Sequence, residues 1–253
     1  MSTILRAKGN VIAPSGLDNP HQDGLLLSHV FCDLTDGYFH RNFAPGKPDS
    51  EVYGTVAPSL SGTAARFTGL SNFIQSRILE PRVGTVLMVA STVDSLVDDA
   101  NRPMFFGTWT GTPRDEATAS TTFGLYSRIT SASSPNAVRM GAGRGTSVSD
   151  DVNGDCALLA NDASAPHIYT MTFSEAGPNV AEDHTEGVTA DDDSTAPRFP
   201  TDQMVRIGSG YTQYTGTCDL TLFRLWERVL SAAEITAEVA HARAFMTRLD
   251  VAL

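Results

Sequence analysis

The feature that most restricts the fold of this chain is the regular alternation of short β-type runs with clusters of turn-forming residues. The runs are rich in Val, Ile, Thr, Phe and Tyr, and Gly, Pro, Ser, Asn and Asp lie between them. Because helical patterns do not separate these runs, they predict an antiparallel sandwich or barrel rather than a parallel α/β sheet. The predicted strands are 25–33, 64–67, 73–78, 85–92, 104–110, 122–128, 137–141, 167–173, 205–208 and 219–226.

Two of the runs indicate how the strands pack. Residues 85–91 are apolar on both alternating faces, which predicts a strand buried on both sides. In 219–226 the alternation predicts that Thr221, Phe223 and Leu225 share one face of the strand. The other face would then carry Leu220, Leu222, Arg224 and Trp226.

The sequence also predicts one helix, over 231–249. Ser231 and Glu234 have the spacing of a capping box, in which each side chain bonds to the backbone amide of the other residue. Apolar residues then recur at helical spacing: Ile235, Val239, Ala242, Met246 and Leu249. Such a stripe must be covered, so we expect the helix to pack on the outside of a sheet or on a neighbouring subunit.

Composition excludes several classes of protein. The 253 residues are 41% hydrophobic, which is enough to fill the core of one large domain. The net charge of −11, with 18 scattered basic and 29 acidic residues, argues against nucleic-acid binding. The apolar runs are too short to cross a bilayer and no signal-peptide pattern is visible, so we expect synthesis in the cytosol without membrane insertion. Cys32, Cys156 and Cys218 lack a pairing motif and are predicted to be reduced and buried.

Four separated segments resemble a laminin-G-like, concanavalin A-like jelly roll. They are AARFTGLSNFI at 64–74, HIYTMTF at 167–173, VRIG at 205–208 and LWERVLSAAEI at 225–235. Thr68 departs from the Asp that is usual in the first motif, and a long acidic loop over 175–200 replaces the family's short hairpin. The resemblance implies an all-β, two-sheet antiparallel jelly-roll sandwich over 25–253, with the helix 231–249 included. Residues 1–24 are then an N-terminal arm or an added edge strand.

The family includes β-glucanases, but their catalytic pattern is absent. That pattern is Glu-x-Asp-x-x-Glu on one strand, which supplies a nucleophile and an acid. The carboxylates at 182–186 have a different spacing and polar neighbours, so they are predicted to lie in a solvated loop. Gly-x-Ser-x-Gly is also absent, and the six dispersed histidines suggest no metal triad. We therefore predict no catalytic residue.

Two groups of residues are candidates for binding. Asp151, Asn153 and Asp155 offer oxygen ligands at alternate positions, as calcium in laminin-G-like modules would need, although an Asx-rich turn explains the same pattern. Trp109, Tyr211 and Tyr214 lie near glycines and are candidates to stack against sugar rings, the alternative being that they plug the core.

The resemblance suggests a non-enzymatic virion protein of a tailed bacteriophage, located in the tail, a fibre or a head decoration. Its expected partners are other virion proteins, further copies of itself and a host-surface glycan, which many copies would bind with avidity. One alternative is a purely structural assembly protein, for which Trp109 and Tyr211 should be buried or at subunit contacts. A second alternative is a polysaccharide-cleaving enzyme of the glucanase type.

Overall fold

Strands account for most of the regular structure. The computed structural model describes residues 5–7, 10–12, 19–32, 40–59, 62–94, 102–116, 122–129, 137–152, 154–158 and 163–253. Their elements, in chain order, are β1 (Leu5–Ala7), β2 (Asn10–Ile12), β3 (Leu25–Val30), β4 (Glu51–Tyr53), β5 (Ala57–Pro58), β6 (Ala65–Thr68), β7 (Phe73–Leu79), β8 (Gly84–Thr92), β9 (Met104–Gly107), β10 (Leu125–Ile129), β11 (Val138–Ala142), β12 (Asp155–Leu158), β13 (His167–Phe173), β14 (Val180–Asp183), β15 (Val188–Asp191), β16 (Met204–Ile207), β17 (Thr217–Trp226) and α1 (Ala232–Arg248). Among these residues no helix has the length and apolar character needed to cross a bilayer.

The strands form two antiparallel sheets that face each other. The seven-stranded sheet has the order β12-β11-β10-β9-β16-β7-β4, and the second has the order β15-β14-β13-β8-β17-β6-β5. β3 joins the second sheet as its eighth strand by pairing with the end of β17 beyond β6. β1 pairs with β2 in a separate hairpin. This arrangement confirms the predicted two-sheet jelly-roll sandwich with a C-terminal helix.

Each of the ten predicted strands overlaps an observed one, whereas the predicted loop at 175–200 is wrong. That segment forms the hairpin β14–β15 at one edge of the eight-stranded sheet. A buried cation binds the ends of this hairpin: the Nε of Arg144 donates to Asp192 at 3.3 Å, and its Nη2 donates to Asn179 at 2.7 Å. Asn179 also donates to the carbonyls of Ala142 in β11 and of Gly154 just before β12, which fastens the hairpin to the other sheet.

β8 is buried on both faces, as predicted, because a different layer covers each face. Val86 and Met88 belong to the core between the sheets. Leu87 and Val89 belong to a second core, which α1 closes from outside with Phe245 and other apolar residues. The helix therefore packs on the outside of the eight-stranded sheet, one of the two positions expected for it.

The predicted alternation along β17 holds only for its second half. Phe223 and Leu225 face the core between the sheets, and Leu222 faces the helix. Leu220 was predicted to lie beside Leu222, but it faces the inner core because the register shifts between the two residues. An inserted residue of this kind, a β-bulge, reverses the side-chain parity that sequence alternation assumes.

The helix begins at the predicted capping box. The Ser231 hydroxyl accepts from the Glu234 amide at 3.3 Å, and the Ser231 amide donates to the Glu234 carboxylate at 2.8 Å. Behind the helix, buried Arg224 donates to Glu238 at 2.5 Å, which ties α1 to β17. Burial lowers the pKa of Arg224 to about 10 despite this carboxylate. All three cysteines are free and buried, as predicted.

Candidate functional site

The outer face of the seven-stranded sheet carries a row of aromatic and arginine side chains. Directly paired residues on antiparallel strands project to the same face. Tyr53 pairs with Phe73, and further along the sheet Gly107 is paired with Arg206 on one side and Tyr126 on the other. Because α1 covers the opposite side of the sandwich, this row lies on the face away from the helix.

The first group in the row encloses an arginine in aromatic rings. The guanidinium of Arg128 lies 4.9 Å from the ring centre of Trp109, 5.4 Å from that of Tyr126 and 5.3 Å from that of Tyr214. We call these four residues the Arg128 cluster. Trp109 is only 6% exposed and Tyr214 only 7%, so their rings offer almost no free surface to a ligand.

A carboxylate neutralises the Arg128 cluster. Asp155 accepts from Arg128 at 3.2 Å and from Arg139 at 3.0 Å, and the Tyr126 hydroxyl donates to its other oxygen. Burial is the largest single influence on the pKa of Arg128 and works to lower it, but Asp155, Tyr126 and Tyr214 together raise it above its usual value. Burial first, and the same carboxylate second, hold the pKa of Tyr126 well above 10.0. The charge of Arg128 is thus paired inside the cluster, although the indole N–H of Trp109 and the Nε of Arg128 are buried without a hydrogen-bond partner among the described residues.

The second group is more open. The Arg206 guanidinium lies between two rings, 4.3 Å from the centre of Phe73 and 3.6 Å from that of Tyr211. Tyr53 stacks on Phe73 with ring centres 4.9 Å apart and an interplanar angle of 9°. With Gln75, these residues are called the Arg206 platform. Tyr53 is 46% exposed and Tyr211 is partly exposed, so part of the aromatic surface meets solvent.

Neutral groups hold Arg206 in place. Its Nε donates to the Gln75 side chain at 2.8 Å, and its Nη1 donates to the Gly210 carbonyl at 2.9 Å. The Tyr211 hydroxyl donates to the Met204 carbonyl at 2.8 Å, which fixes the ring above the guanidinium. Burial lowers the pKa of Arg206.

One glycine-rich loop, 208–216, serves both groups. It supplies Tyr211 to the platform and Tyr214 to the cluster, and the Tyr211 amide donates to the Trp109 carbonyl at 2.7 Å. The loop lies close to the sheet because Gly210 has no side chain: a Cβ there would be 2.6 Å from the sulfur of Met104. Met104 belongs to the apolar group around Trp109, so the loop spans the boundary between the two groups.

The structure separates the three predicted stacking residues. Trp109 and Tyr214 lie in the closed cluster, and Tyr211 lies in the open platform. Sequence reasoning missed the residues that complete both sites. A signal was present, because Phe73 and Gln75 alternate with apolar Ile74 on a predicted strand, and Tyr126 and Arg128 alternate with Leu125 and Ser127 on another.

The candidate calcium ligands have separate partners. Asp155 contacts two arginines, while Asp151 accepts from the Phe123 amide at 3.0 Å and burial raises its pKa to about 6. Next to them, Asp150 accepts from the Thr146 and Ser147 groups, bonds that lower its pKa to about 2 and form a local turn. Asn153 lies outside the described residues. No group of three or more potential metal ligands occurs in the part of the chain that the structure covers.

The carboxylates at 182–186 face different neighbours. Glu182 lies 3.1 Å from His184 at the surface, whereas Asp183 is buried and contacts His167 at 2.8 Å. These residues alternate along β14, so the two carboxylates are on opposite faces of the hairpin. They do not face each other across a cleft, as a pair of glycosidase carboxylates does.

Comparison with known proteins gives a fold but no family. No family model and no curated protein matches the chain. Among solved structures it is similar to the receptor-binding domain of a botulinum neurotoxin C/D mosaic serotype, with 7% identity and a TM-score of 0.55. It is also similar to the binding domain of botulinum neurotoxin DC in complexes with SialylT and with rat synaptotagmin II, each with 8% identity and a TM-score of 0.55.

Each match covers 88% of this chain and 52% of the other. The chain therefore spans about half the length of these neighbours. At such low identity the likeness concerns the fold alone, and this chain has the fold of a β-sandwich found in receptor-binding domains.

Proposed function

We propose that the chain is a non-enzymatic carbohydrate-binding module and that the Arg206 platform is its binding surface. The observation that carries the proposal is the partly exposed stack of Tyr53, Phe73, Arg206 and Tyr211 on the sheet face away from the helix. The apolar face of a sugar packs on an exposed ring, and its hydroxyls bond to nearby polar groups. The Arg128 cluster cannot bind in this way, because its rings surround its own arginine.

The structural neighbours support this choice of class. Two of them are binding domains solved in complex with SialylT or with rat synaptotagmin II, and this chain matches 52% of each of those chains. Fold alone does not determine function, so the proposal depends on the platform.

The binding test uses a panel of bacterial surface polysaccharides with the protein displayed in several copies, because single-site affinity for a sugar is weak. Wild-type protein should bind at least one polysaccharide, and Tyr53→Ala should weaken that binding roughly tenfold, since stacking on a ring contributes on the order of 1 kcal/mol. Tyr53→Phe keeps the ring and should bind normally. Val180→Ala, at an exposed position on the other sheet, is the matched control.

Two additional arms separate the alternatives. EDTA should leave polysaccharide binding unchanged if the platform acts without calcium. If EDTA abolished binding, Asp151, Asn153 and Asp155 would be implicated as calcium ligands. Reducing ends released from a polysaccharide would indicate a glucanase. Absence of binding to every polysaccharide would reject the proposal in favour of a purely structural protein, for which the burial of Trp109 is already suitable.

We propose that the module belongs to the virion of a tailed bacteriophage. There it would form a homo-oligomer, assemble with other virion proteins and contact a host-surface glycan. This part depends on the sequence resemblance and on the advantage that many copies give to a weak site. An antiserum against the purified chain should label intact particles in immunoelectron microscopy. Antigen found only outside purified particles would contradict the virion assignment.

A further inference from the structure

Within the part of the chain that the structure describes, Arg206 differs from its neighbours in having no acidic partner. Around it Arg128 is paired with Asp155, Arg77 with Glu51 and, on the other sheet, Arg66 with Asp219. Within the described residues no carboxylate oxygen lies within salt-bridge distance of Arg206, although the chain has 29 acidic residues and a net charge of −11. An uncompensated cation in such an acidic protein requires an explanation.

The free part of Arg206 is one end of its guanidinium. Nε and Nη1 donate to Gln75 and Gly210, and the Tyr211 hydroxyl lies close to the guanidinium, where it works to raise the pKa of Arg206. Nη2 has no acceptor within hydrogen-bond geometry among the described residues and is not among the side-chain nitrogens sealed from solvent. The guanidinium also contacts the rings of Phe73 and Tyr211, which restrict its movement. Its orientation is therefore set before any ligand arrives, which reduces the entropy lost on binding.

We infer that the Arg206 platform selects saccharides that carry a carboxylate, with the carboxylate bound at Nη2 of Arg206 and the sugar ring packed on Tyr53 or Tyr211. This inference rests on the proposed function and specifies its ligand class. A carboxylate supplies a charge-assisted hydrogen bond to the guanidinium. A neutral hydroxyl would leave the charge of a half-buried arginine without compensation.

The surroundings favour this assignment over general attraction to polyanions. Glu51, which pairs with Gln75 on the same face, has a carboxylate that already accepts from Arg77 at 2.7 Å. The rest of the surface is predominantly acidic, so a polyanion gains little from long-range attraction and must make the local contact at Arg206.

The test compares chemically paired ligands on the wild-type protein, so that it does not depend on any variant folding. The pairs are polygalacturonate, hyaluronate and polysialic acid, each in its native form and after reduction of its carboxyl groups to alcohols. Dextran sulfate serves as a polyanion without carboxylates. We expect at least one native form to bind roughly tenfold more tightly than its reduced counterpart and than dextran sulfate.

Two variants then assign the preference to one residue. Arg206→Gln should abolish the tenfold preference for the native, carboxylated form. Its affinity for the reduced form should stay at the wild-type level. Arg77→Gln removes an arginine from the same sheet face and should keep the preference, which makes it the matched control. Thermal unfolding of both variants verifies that each is folded.

The outcomes separate this inference from the proposed function. Three results would each overturn the inference and leave carbohydrate binding in place. In the first, the native and reduced forms bind equally tightly. In the others, dextran sulfate binds as tightly as the native forms, or the preference for the native form survives Arg206→Gln. Binding of neutral panel polysaccharides without binding of any acidic pair would do the same. Failure to bind any saccharide would overturn both.

Discussion

Two arginines on one sheet face lie against aromatic rings, yet their surroundings give them opposite properties. Arg128 contacts three rings and a carboxylate, and its cluster is closed. Arg206 contacts two rings and neutral hydrogen-bond acceptors, and its platform is partly exposed. Aromatic residues near a turn therefore do not by themselves identify a binding surface. Whether the enclosed charge is already paired, and whether a ring face remains free, are the deciding properties.

The largest expected difference concerns the aromatic rings themselves. Trp109→Ala removes a buried ring from the Arg128 cluster and should lower the free energy of unfolding by about 3–5 kcal/mol. Tyr53→Ala removes an exposed ring from the platform and should cost less than about 1 kcal/mol. Urea unfolding followed by circular dichroism measures both. Similar losses for the two variants would show that the platform is as much a part of the core as the cluster.

The second prediction concerns the carboxylate that distinguishes the two arginines. Asp155→Asn leaves Arg128 largely buried without a countercharge and should destabilise the protein by about 3 kcal/mol in the same unfolding experiment. Glu51→Gln breaks the exposed pair with Arg77 and should cost no more than about 1 kcal/mol. If Asp155→Asn lowered the free energy of unfolding no more than this control does, the burial of Arg128 would not require the charge of Asp155. The distinction between the two arginines would then be lost.

The smallest effect is a pH dependence confined to the closed cluster. The pKa of Tyr126 is raised well above 10.0, so native Tyr126 keeps its proton while the unfolded chain loses it. Its contribution to stability is therefore complete below pH 10 and falls as the pH rises beyond it, by about 1.4 kcal/mol at pH 11. Tyr126→Phe removes this loss, so the stability difference between wild type and variant should narrow between pH 9 and pH 11.

Tyr211→Phe provides the comparison from the platform. It keeps the ring that covers Arg206 but removes the hydroxyl that donates to Met204. Because this variant leaves Tyr126 in place, it should still lose stability between pH 9 and pH 11. The prediction is contradicted if the free energies of unfolding of wild type and Tyr126→Phe change in parallel between pH 9 and pH 11. The Tyr126 phenol would then titrate like an ordinary exposed one.

The sequence predicted the layers of the fold better than its edges. Long apolar strands such as β8 and the capped helix have strong periodic signals, and both were located correctly. β14 and β15 were missed because their polar composition resembles a loop, and the buried Arg144 that orders them is distant in sequence. The bulge in β17 was missed because alternation contains no sign of an inserted residue.

The candidate site was predicted only in part, for a related reason. Trp109, Tyr211 and Tyr214 were identified as aromatics near glycines, but composition cannot show which ring faces are covered. Exposure depends on how the rings pack against two arginines: Arg128 comes from a strand far away in the chain, and Arg206 lies on the strand just before the loop. Charge pairing across the sheet is a property of the topology, and neighbouring residues in the sequence do not encode it.

The position of α1 gives the sandwich a front and a back. The helix closes the outer face of the eight-stranded sheet, so another molecule can bind the helix side without contacting the aromatic row on the opposite side. Copies fixed to a scaffold through the helix side would all present the same face outward. Their binding surfaces would then be aligned by the anchoring geometry alone, without any contact between one binding surface and the next.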